Sequence, residues 1–384
     1  MKIAVRHHCR DFKSYRAARV RSLFNVDDAS HFQLQADLPI DAADWPQGWQ
    51  IGVIVGPSGS GKTSLGRQVF GDGGGLYAPS WPANKPIIDA IQPKGDFNAV
   101  TGALAAVGLG SVPPWLRPYQ VLSNGERFRA DLARLVCEAP AQAVVDEFTS
   151  VVDRQIAKVG ALAFSKAWRR TQGQVVLLSC HYDILDWLQP DWVYDTGTGR
   201  FQRGSLWRRP PIHVDIWQTD WRHWPAFEPH HYLKVPKMVA ATNYVATVGG
   251  ELVAHLAVST RAGMIEARAC RLVVMPEWQG AGVGLRFLNA VCERWRQGDN
   301  RYAKPMRSLF HTSHPGLAAA LRRDRLWTQV SGSLYGGNKA RSAASINASA
   351  VRKGATPPGT AGYGGHFRAV QGFRYLGADW TPAG

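Results

Sequence analysis

The stretch GPSGSGKT, residues 56–63, decides the fold of the first half of the chain. It fits the pattern G-x-x-x-x-G-K-[ST] and lies between a strand-like run, IGVIV, and a helical pattern, TSLGRQVF. Glycines at these positions let backbone N–H groups point at a β-phosphate, while the lysine supplies a cation and the threonine offers its hydroxyl to Mg²⁺. The stretch therefore predicts a nucleoside triphosphate site. The residues expected to hold the nucleotide are Gly56, Ser58, Gly59, Gly61, Lys62, Thr63 and Ser64.

The sequence around this loop predicts an α/β domain. Three apolar runs, WQIGVIV, AQAVVDE and GQVVLLSC, alternate with helical patterns, which favours a mostly parallel sheet covered by helices. A chain of 384 residues exceeds the size at which one hydrophobic core usually stops growing, so two domains are expected. A closing hairpin pattern followed by a proline-rich segment places the boundary between domains 1–206 and 207–384.

The charge is unevenly placed along the chain. Residues 205–384 hold 23 Lys and Arg against 10 Asp and Glu, whereas residues 1–204 hold 22 against 19. The second half is therefore expected to meet a polyanion, although a basic surface that serves only solubility stays open. Five cysteines without CxxC pairs indicate reduced thiols in a cytoplasm. The sequence contains no apolar run of about 18 residues, so no membrane span is predicted.

Four further stretches stand in a recognisable order. They are AIQPKG at 90–95, LSNGERFRADLARLV at 122–136, AVVDEFTSVVD at 143–153 and VVLLSCHYD at 175–183. Together with GPSGSGKT they resemble the ATP-binding-cassette (ABC) ATPases, and the resemblance covers most of residues 15–205. It implies a P-loop ABC-type ATPase domain that binds ATP and Mg²⁺.

The resemblance to the ABC ATPases implies roles for individual residues. Asp146 would hold Mg²⁺ through its water shell, beside the Thr63 hydroxyl, and Glu147 would polarise the attacking water. His181 matches the switch histidine that senses the γ-phosphate. Gln92 matches a glutamine of the family that contacts the metal. An equal alternative is that Gln92 is an exposed loop residue without a role in the site.

LSNGE, residues 122–126, is similar to the family's signature LSGGQ, and it retains Ser123 and Gly125. Asn124 replaces a glycine, and because Asn tolerates positive φ, the turn is expected to survive the change. In this family the signature of one subunit completes the ATP site of another. A single cassette therefore implies a homodimer formed on ATP binding, and the lack of membrane spans favours a soluble role over transport.

A second glycine stretch, MPEWQGAGVG at 275–284, lacks the Lys-Ser/Thr pair of a triphosphate site. It reads Gln-x-x-Gly-x-Gly directly after the strand-like run ACRLVVM and before an amphipathic helix pattern. It resembles the pyrophosphate loop of the GNAT acyltransferases, over about residues 207–384. The resemblance implies a GNAT-like α+β acyltransferase domain with a central mixed sheet, which binds the diphosphate of acetyl-CoA on backbone N–H groups. The residues implied in acetyl-CoA binding are Leu272, Val273, Val274, Gln279, Gly280, Ala281, Gly282, Val283 and Gly284.

The chain departs from the GNAT pattern at the general acid. Many GNAT enzymes carry a tyrosine on the helix after the fifth strand, and residues 306–327 contain none. His311, Ser313, His314 or water could take that role. Glu266, at the start of the fourth strand, is the candidate base by position, and an exposed strand-edge glutamate is the alternative.

These patterns predict an ATP-hydrolysing, acetyl-CoA-dependent N-acetyltransferase that modifies an amine on a nucleic acid. PHHYL at 229–233 is a candidate acceptor-site element. A Gly- and Ser-rich loop at 331–365 carries basic residues, which are Lys339, Arg341, Arg352 and Lys353. It also carries aromatic rings that could stack on bases, such as that of Tyr363. Three alternatives stay open: a protein or small-molecule amine as the acceptor, a nucleic-acid-associated ABC ATPase whose second domain only binds, and a transporter subunit.

Overall fold

The structure is a computed structural model. The residues that it describes are 2–8, 13–24, 31–40, 45–71, 75–204, 207–233, 237–238, 240–260, 266–333, 344, 347–348, 351–352, 354 and 369–377. Most of the basic loop predicted at 331–365, including Lys339, Arg341, Lys353 and Tyr363, lies outside them. The chain forms two compact units, which are Met1–Ser80 with Glu138–Pro210, and Trp81–Cys137 with Pro211–Gly384. The predicted domain boundary at 206–207 stays a prediction.

The described residues form helices and strands with the following bounds. The helices are α1 (Tyr15–Phe24), α2 (Lys62–Phe70), α3 (Ile87–Ala90), α4 (Phe97–Ala106), α5 (Val112–Trp115), α6 (Asn124–Glu138), α7 (Arg154–Trp168), α8 (Leu185–Leu188), α9 (Trp224–Phe227), α10 (Val283–Gln297) and α11 (Pro315–Arg323). The strands are β1 (Lys2–His8), β2 (His31–Asp37), β3 (Ile51–Val55), β4 (Gln142–Val145), β5 (Gln174–Ser179), β6 (Trp192–Asp195), β7 (Arg200–Arg203), β8 (Asp215–Thr219), β9 (Thr242–Val248), β10 (Glu251–Thr260), β11 (Glu266–Val274), β12 (Arg307–Thr312), β13 (Trp327–Ser333) and β14 (Val370–Tyr375).

The first unit is built on a five-stranded sheet in the order β4-β5-β3-β6-β7, beside an antiparallel pair formed by β1 and β2. Strands β4, β5, β3 and β6 run parallel, and β7 closes the edge as the antiparallel arm of a hairpin with β6. All five residues of β3 are buried, as expected for a strand of a parallel sheet that is covered on both faces. The predicted mostly parallel sheet and closing hairpin are confirmed.

The second unit combines the helices α3–α6 with a seven-stranded mixed sheet in the order β13-β14-β12-β11-β10-β9-β8. We call residues 81–137 the signature segment because they contain LSNGE. Strands β11 and β12 are parallel, and the other neighbouring pairs are antiparallel. Helix α10 buries Leu288, Val291, Cys292 and Trp295 against the sheet, so the predicted amphipathic helix is confirmed. The predicted mixed sheet is present as well.

Strands β11 and β12 pair over only part of their length. Their ladder joins residues 266–269 to residues 307–310. Beyond that point β11 continues along β10 to Val274, whereas β12 continues along β14 to Thr312. Among the described residues, the edge of β11 from Cys270 to Val274 therefore has no ladder pair with β12. This gap positions the candidate site of the second unit.

Candidate functional site

Three of the predicted nucleotide residues follow neighbouring parallel strands of the first unit, at the point where each strand ends. Gly56 follows β3, Asp146 follows β4, and His181 lies two residues after β5. The carboxyl ends of parallel strands open at the same edge of a sheet, which is where open α/β sheets bind ligands. The fold therefore brings these three residues to one edge.

The loop between β3 and α2 has the form of a phosphate cradle. Gly61 precedes α2 with φ 83°, a left-handed conformation that favours glycine. The N–H groups of the first turn, Lys62–Ser64, have no acceptor within the helix and lie at the positive end of its dipole. Lys62 Nζ donates to the carbonyl oxygens of Gly56 and Pro57 at 2.9 and 2.7 Å, which holds the cation over the loop. The exposed residues of the loop include Ser58 and Gly59.

Thr63 and Asp146 bring two hard oxygen ligands together at this edge. Thr63 Oγ1 donates to Asp146 Oδ1 at 3.2 Å. Mg²⁺ prefers such oxygens and usually takes one or two protein ligands besides water and phosphate, so the pair fits the predicted metal. Glu147 is exposed with φ 52°, and its N–H donates to Asp146 Oδ1 at 2.9 Å. The backbone of the candidate catalytic residue is thus fixed directly beside the candidate metal ligand.

His181 is held as a neutral ring with one nitrogen already bonded. Its Nδ1 accepts from Arg154 Nη1 at 2.7 Å and lies 3.0 Å from Thr149 Oγ1. Burial, and then the charge of Arg154, lower the pKa of His181 below its ordinary value. Because Nδ1 is the acceptor in this network, the proton of the neutral ring is on Nε2. That N–H is the group that a phosphate oxygen would meet.

The signature of the second unit begins helix α6 with a capping box. Ser123 N–H donates to Glu126 Oε2 at 2.8 Å, and Glu126 N–H donates to Ser123 Oγ at 3.3 Å. The glutamate that replaces the family's glutamine therefore closes the cap. Asn124 is the first residue of α6 and has no positive φ, so the cap draws Asn124 into the helix and its tolerance of positive φ is not used. Gly125 follows in the same turn.

Gln92 lies in an exposed turn after α3, within the signature segment. Its carbonyl oxygen accepts from Gly95 N–H at 2.8 Å, which closes the turn. Its predicted contact with the metal stays a prediction.

A cavity of about 240 Å³ lies in the second unit where β11 and β12 part. The strand edge of β11 there offers backbone N–H and C=O groups to an extended ligand in the way that an added strand would use them. The residues predicted for acetyl-CoA that line the cavity are Leu272, Val273, Val274, Gln279 and Gly284. His311 of β12 and the acceptor-side residues His230, His231 and Tyr232 line it as well.

A bulge at Arg271 shapes the β11 side of the cavity. The register of β10 and β11 shifts after His255, and Arg271 has φ 56°. The fully buried His255 ring donates from Nδ1 to Arg271 O at 3.3 Å. Three aromatic rings lie against His255, those of Trp221, Trp224 and Phe227. Burial lowers the pKa of His255 to about 4, so a neutral ring holds the bulge near neutral pH.

The stability of this unit should fall as His255 is forced to take a proton. Its pKa is about 4 in the folded chain against 6.5 ordinarily, so the unfolded state binds the extra proton as pH falls through this window. The expected loss is up to about 3 kcal/mol in the free energy of unfolding between pH 6.5 and 4. Chemical denaturation at several pH values measures it. His255→Asn keeps a donor but does not titrate, so an equal slope in this variant would contradict the assignment.

Gln279 joins the glycine loop both to β11 and to the signature segment. Its Nε2 donates to Val274 O at 3.0 Å and lies 3.4 Å from Ser111 Oγ. Its Oε1 accepts from Gly110 N–H at 3.0 Å. Both ends of the amide are therefore engaged by the protein, and Gln279 acts on the loop by fixing its position.

The rest of the loop divides its N–H groups between the turn and the helix start. Gln279 N–H and Ala281 N–H donate to Pro276 O and Trp278 O at 3.3 Å each, so these two predicted donors serve the turn. Gly280 and Gly282 have φ 91° and 87°. Val283 and Gly284 form the first turn of α10, where N–H groups have no acceptor within the helix. The start of a helix is where N–H groups can meet an anion.

The structure separates the candidates for acid and base. Glu266 pairs with Arg374 at 3.1 Å, and the described lining of the cavity begins on β11 at Arg268, so Glu266 is not brought to it. Ser313 Oγ donates to Ala369 O. His314 caps α11 and contacts Gly110 O at 2.8 Å. His311 lines the cavity with its ring over Gly372 in β14, and its role in proton transfer stays a prediction.

Two further residues of these sites, Thr196 and Arg129, were not predicted from the sequence. Thr196, directly after β6, has its Oγ1 2.6 Å from Ser60 Oγ and supports the P-loop. Arg129 is 3% exposed on α6, and its Nη2 donates to Pro276 O at 2.7 Å. Its position offered a signal, because an arginine three residues before Leu132 lies on the apolar face of the helix.

No helix among the described residues has the length and apolar character that a membrane span requires.

The comparisons with known proteins concern ATP-binding cassettes. No protein-family model matches the sequence. The chain is similar to the cytochrome c biogenesis ATP-binding export protein CcmA of Rhodospirillum rubrum, at 29% identity over 34% of this chain and 68% of the relative. It is also similar to a bacterial Atm1-family ABC exporter with ATP bound, at 17% identity and a TM-score of 0.32, over 45% of this chain and 34% of the exporter chain. A dimeric bacterial ABC transporter cassette matches at 12% identity and a TM-score of 0.35, over 46% of this chain and 93% of the cassette.

The similarity to CcmA supports an ABC-type ATPase domain in this chain. The chain spans about a third of the exporter chain, and at these TM-scores the two structures do not define the fold of the whole protein. None of the three proteins is named as an acetyltransferase.

Proposed function

We propose that this chain is an ATP-hydrolysing, acetyl-CoA-dependent N-acetyltransferase that acts as a homodimer through its ABC part. The cavity between β11 and β12 carries the proposal. It combines an open strand edge with a glycine loop at the start of a 15-residue helix, α10. These are the two features that an extended pantetheine arm ending in a diphosphate would use.

The ATPase part of the proposal rests on the edge formed by β3, β4 and β5. Lys62 and the first turn of α2 would bind the β- and γ-phosphates of ATP, and Thr63 and Asp146 would hold Mg²⁺. Mg²⁺ there would neutralise charge on the phosphate oxygens. Glu147 would orient the attacking water, and the Nε2–H of His181 would donate to the γ-phosphate. Ser123 and Gly125 would complete the site of the partner subunit.

Acyl transfer in the second unit would need no acyl-enzyme intermediate. Burial raises the pKa of the Cys270 thiol to about 11, so this cavity-lining cysteine stays protonated and is a poor nucleophile near neutral pH. The acceptor amine would attack the thioester carbonyl directly. A backbone N–H of β11 would stabilise the tetrahedral oxyanion, a contribution of about 10²- to 10³-fold in rate. The attacking nitrogen would give up a proton to His311 or to water, the C–S bond would break, and the leaving thiolate would take up a proton from His311 or from water.

We infer a nucleic acid amine as the acceptor. The excess of 23 Lys and Arg over 10 Asp and Glu in residues 205–384 supports a polyanionic partner. Arg268 and Arg271, which line the cavity, place two of these cations at the site itself. A small amine or a protein amine would not require this charge.

Acetyl-CoA with a radiolabelled acetyl group tests the proposed function. The full chain is incubated with total RNA, DNA and protein fractions, with and without ATP and Mg²⁺. We expect label in a nucleic acid fraction, dependence on ATP, and a steep loss of transfer as salt rises. Label in protein alone would contradict the acceptor. No label in any fraction, together with no thermal shift on adding acetyl-CoA, would contradict the acetyltransferase itself.

A further inference from the structure

The glycine loop of the proposed acetyl-CoA site is bonded to the helix that begins at the ABC signature. Both belong to the second compact unit. Arg129 Nη2 donates to Pro276 O at 2.7 Å, and this arginine is almost fully buried. Arg129 lies five residues after Asn124, so the contact is about 7.5 Å along α6 from its first residue. One short rigid element therefore connects the residues that would meet ATP with the loop that would meet acetyl-CoA.

A second contact joins the signature segment to the same loop. Gly110 N–H donates to Gln279 Oε1 at 3.0 Å, and His314 Nε2 donates to Gly110 O at 2.8 Å. Gly108 has φ 90°, and a Cβ at that position would lie 2.4 Å from Gln279 O. Only glycine permits this approach. Gly110 and Ser111 also line the cavity, so the signature segment supplies part of its wall.

Helix α6 is hydrogen-bonded to the preceding part of the signature segment. Asp131 of α6 accepts from Trp81 Nε1 and from the Tyr119 hydroxyl, each at 2.7 Å. The rings of Trp81 and Tyr119 stack with centroids 4.9 Å apart. A change in the position of α6 is therefore expected to shift the 108–111 loop as well. Helix α6 contacts Pro276 through Arg129, and the loop contacts Gln279 through Gly110.

We propose that capture of a nucleotide phosphate at Ser123 and Gly125 tightens acetyl-CoA binding at the Pro276–Gly284 loop, with Arg129 as the positioning residue between them. The proposal rests on the proposed function. A phosphate bound at the start of α6 fixes the helix, so the loop is ordered before acetyl-CoA arrives and the cost of ordering it falls. By linkage, acetyl-CoA must raise ATP affinity by the same factor.

The test measures the dissociation constant of acetyl-CoA by calorimetry, with and without saturating ATP and Mg²⁺. The full chain carries Glu147→Gln, so that ATP persists. We expect ATP to tighten acetyl-CoA binding by about 5- to 150-fold, and acetyl-CoA to tighten ATP binding equally. Arg129→Met should bring both ratios close to one while acetyl-CoA still binds, and Arg129→Lys should restore part of the ratio.

Arg127→Met is the matched control, because Arg127 lies on the same helix and donates to Tyr119 O and Gln120 O within the signature segment. It should keep the ratio. A full ratio in a folded Arg129→Met variant would overturn the proposal. If that variant does not fold, the ratio in the Glu147→Gln chain still decides. Acetyl-CoA binding that ignores ATP overturns the coupling but leaves the acetyltransferase standing, whereas no acetyl-CoA binding overturns both.

Discussion

Glu147→Gln is expected to lower ATP turnover by about 10²- to 10⁴-fold, because an amide cannot take the proton of the attacking water. The substitution keeps the size of the side chain and leaves the backbone N–H of residue 147 bonded to Asp146 Oδ1. ATP and Mg²⁺ should therefore still bind, and the ATP-bound homodimer should accumulate because its hydrolysis is blocked.

Phosphate release measures the turnover, and size-exclusion chromatography with and without ATP measures the dimer. Glu251→Gln, at an exposed glutamate that begins β10, is the control for loss of one carboxylate and should change neither quantity. Unchanged turnover in Glu147→Gln would show that another residue activates the attacking water. A chain that stays monomeric with ATP would contradict the cassette mechanism.

Gly282→Val is expected to weaken acetyl-CoA binding by at least about 100-fold, which corresponds to the loss of one or two hydrogen bonds to a charged group. Gly282 has φ 87°, and apart from its chain neighbours no atom of the described residues lies within 4 Å of the position that a Cβ would take. Valine is disfavoured in that conformation, so the start of α10 must rearrange. The new side chain would also enter the open space where a diphosphate would approach the helix.

Gly250→Val is a matched control for the backbone effect. Gly250 also has φ 87° with open space around its Cβ position, and it lies in the turn between β9 and β10. Both variants should lose about 1–3 kcal/mol of stability from strain, but only Gly282→Val should lose acetyl-CoA. Equal dissociation constants in the two variants, measured by calorimetry, would show that the glycine loop does not bind the ligand.

The local elements of this protein could be predicted from its sequence because their signals are local. The P-loop, the turn at Gly249–Gly250 and helix α10 each depend on residues within about one turn or one heptad of each other. The capping box of α6 was also readable, since Ser123 and Glu126 have the required spacing. The similarity of LSNGE to the family signature led instead to an expectation about the backbone of Asn124, and Asn124 is part of the helix.

The contacts that connect the sites could not be predicted in the same way. Arg129 and Pro276 are 147 residues apart, and Gly110 and Gln279 are 169 apart. A glutamine at the start of a glycine loop indicates the loop, but it does not tell which carbonyl and which N–H will engage its amide. For Glu266 a distant contact overrode a local prediction. Its position on the strand suggested a base, but the side chain pairs with Arg374, which is 108 residues away.

The signature segment precedes the proposed acyltransferase residues by more than a hundred positions, yet it belongs to the same compact unit. If the chain were divided at 206–207 and the second piece produced alone, Pro276 O, Gln279 Oε1 and His314 Nε2 would lose their partners Arg129, Gly110 N–H and Gly110 O. The cavity would also lose the wall that Gly110 and Ser111 supply. A fragment that keeps the proposed acetyl-CoA site with its whole compact unit therefore has to include residues from Trp81 onward, and a single cut at 206–207 would not separate the two proposed activities.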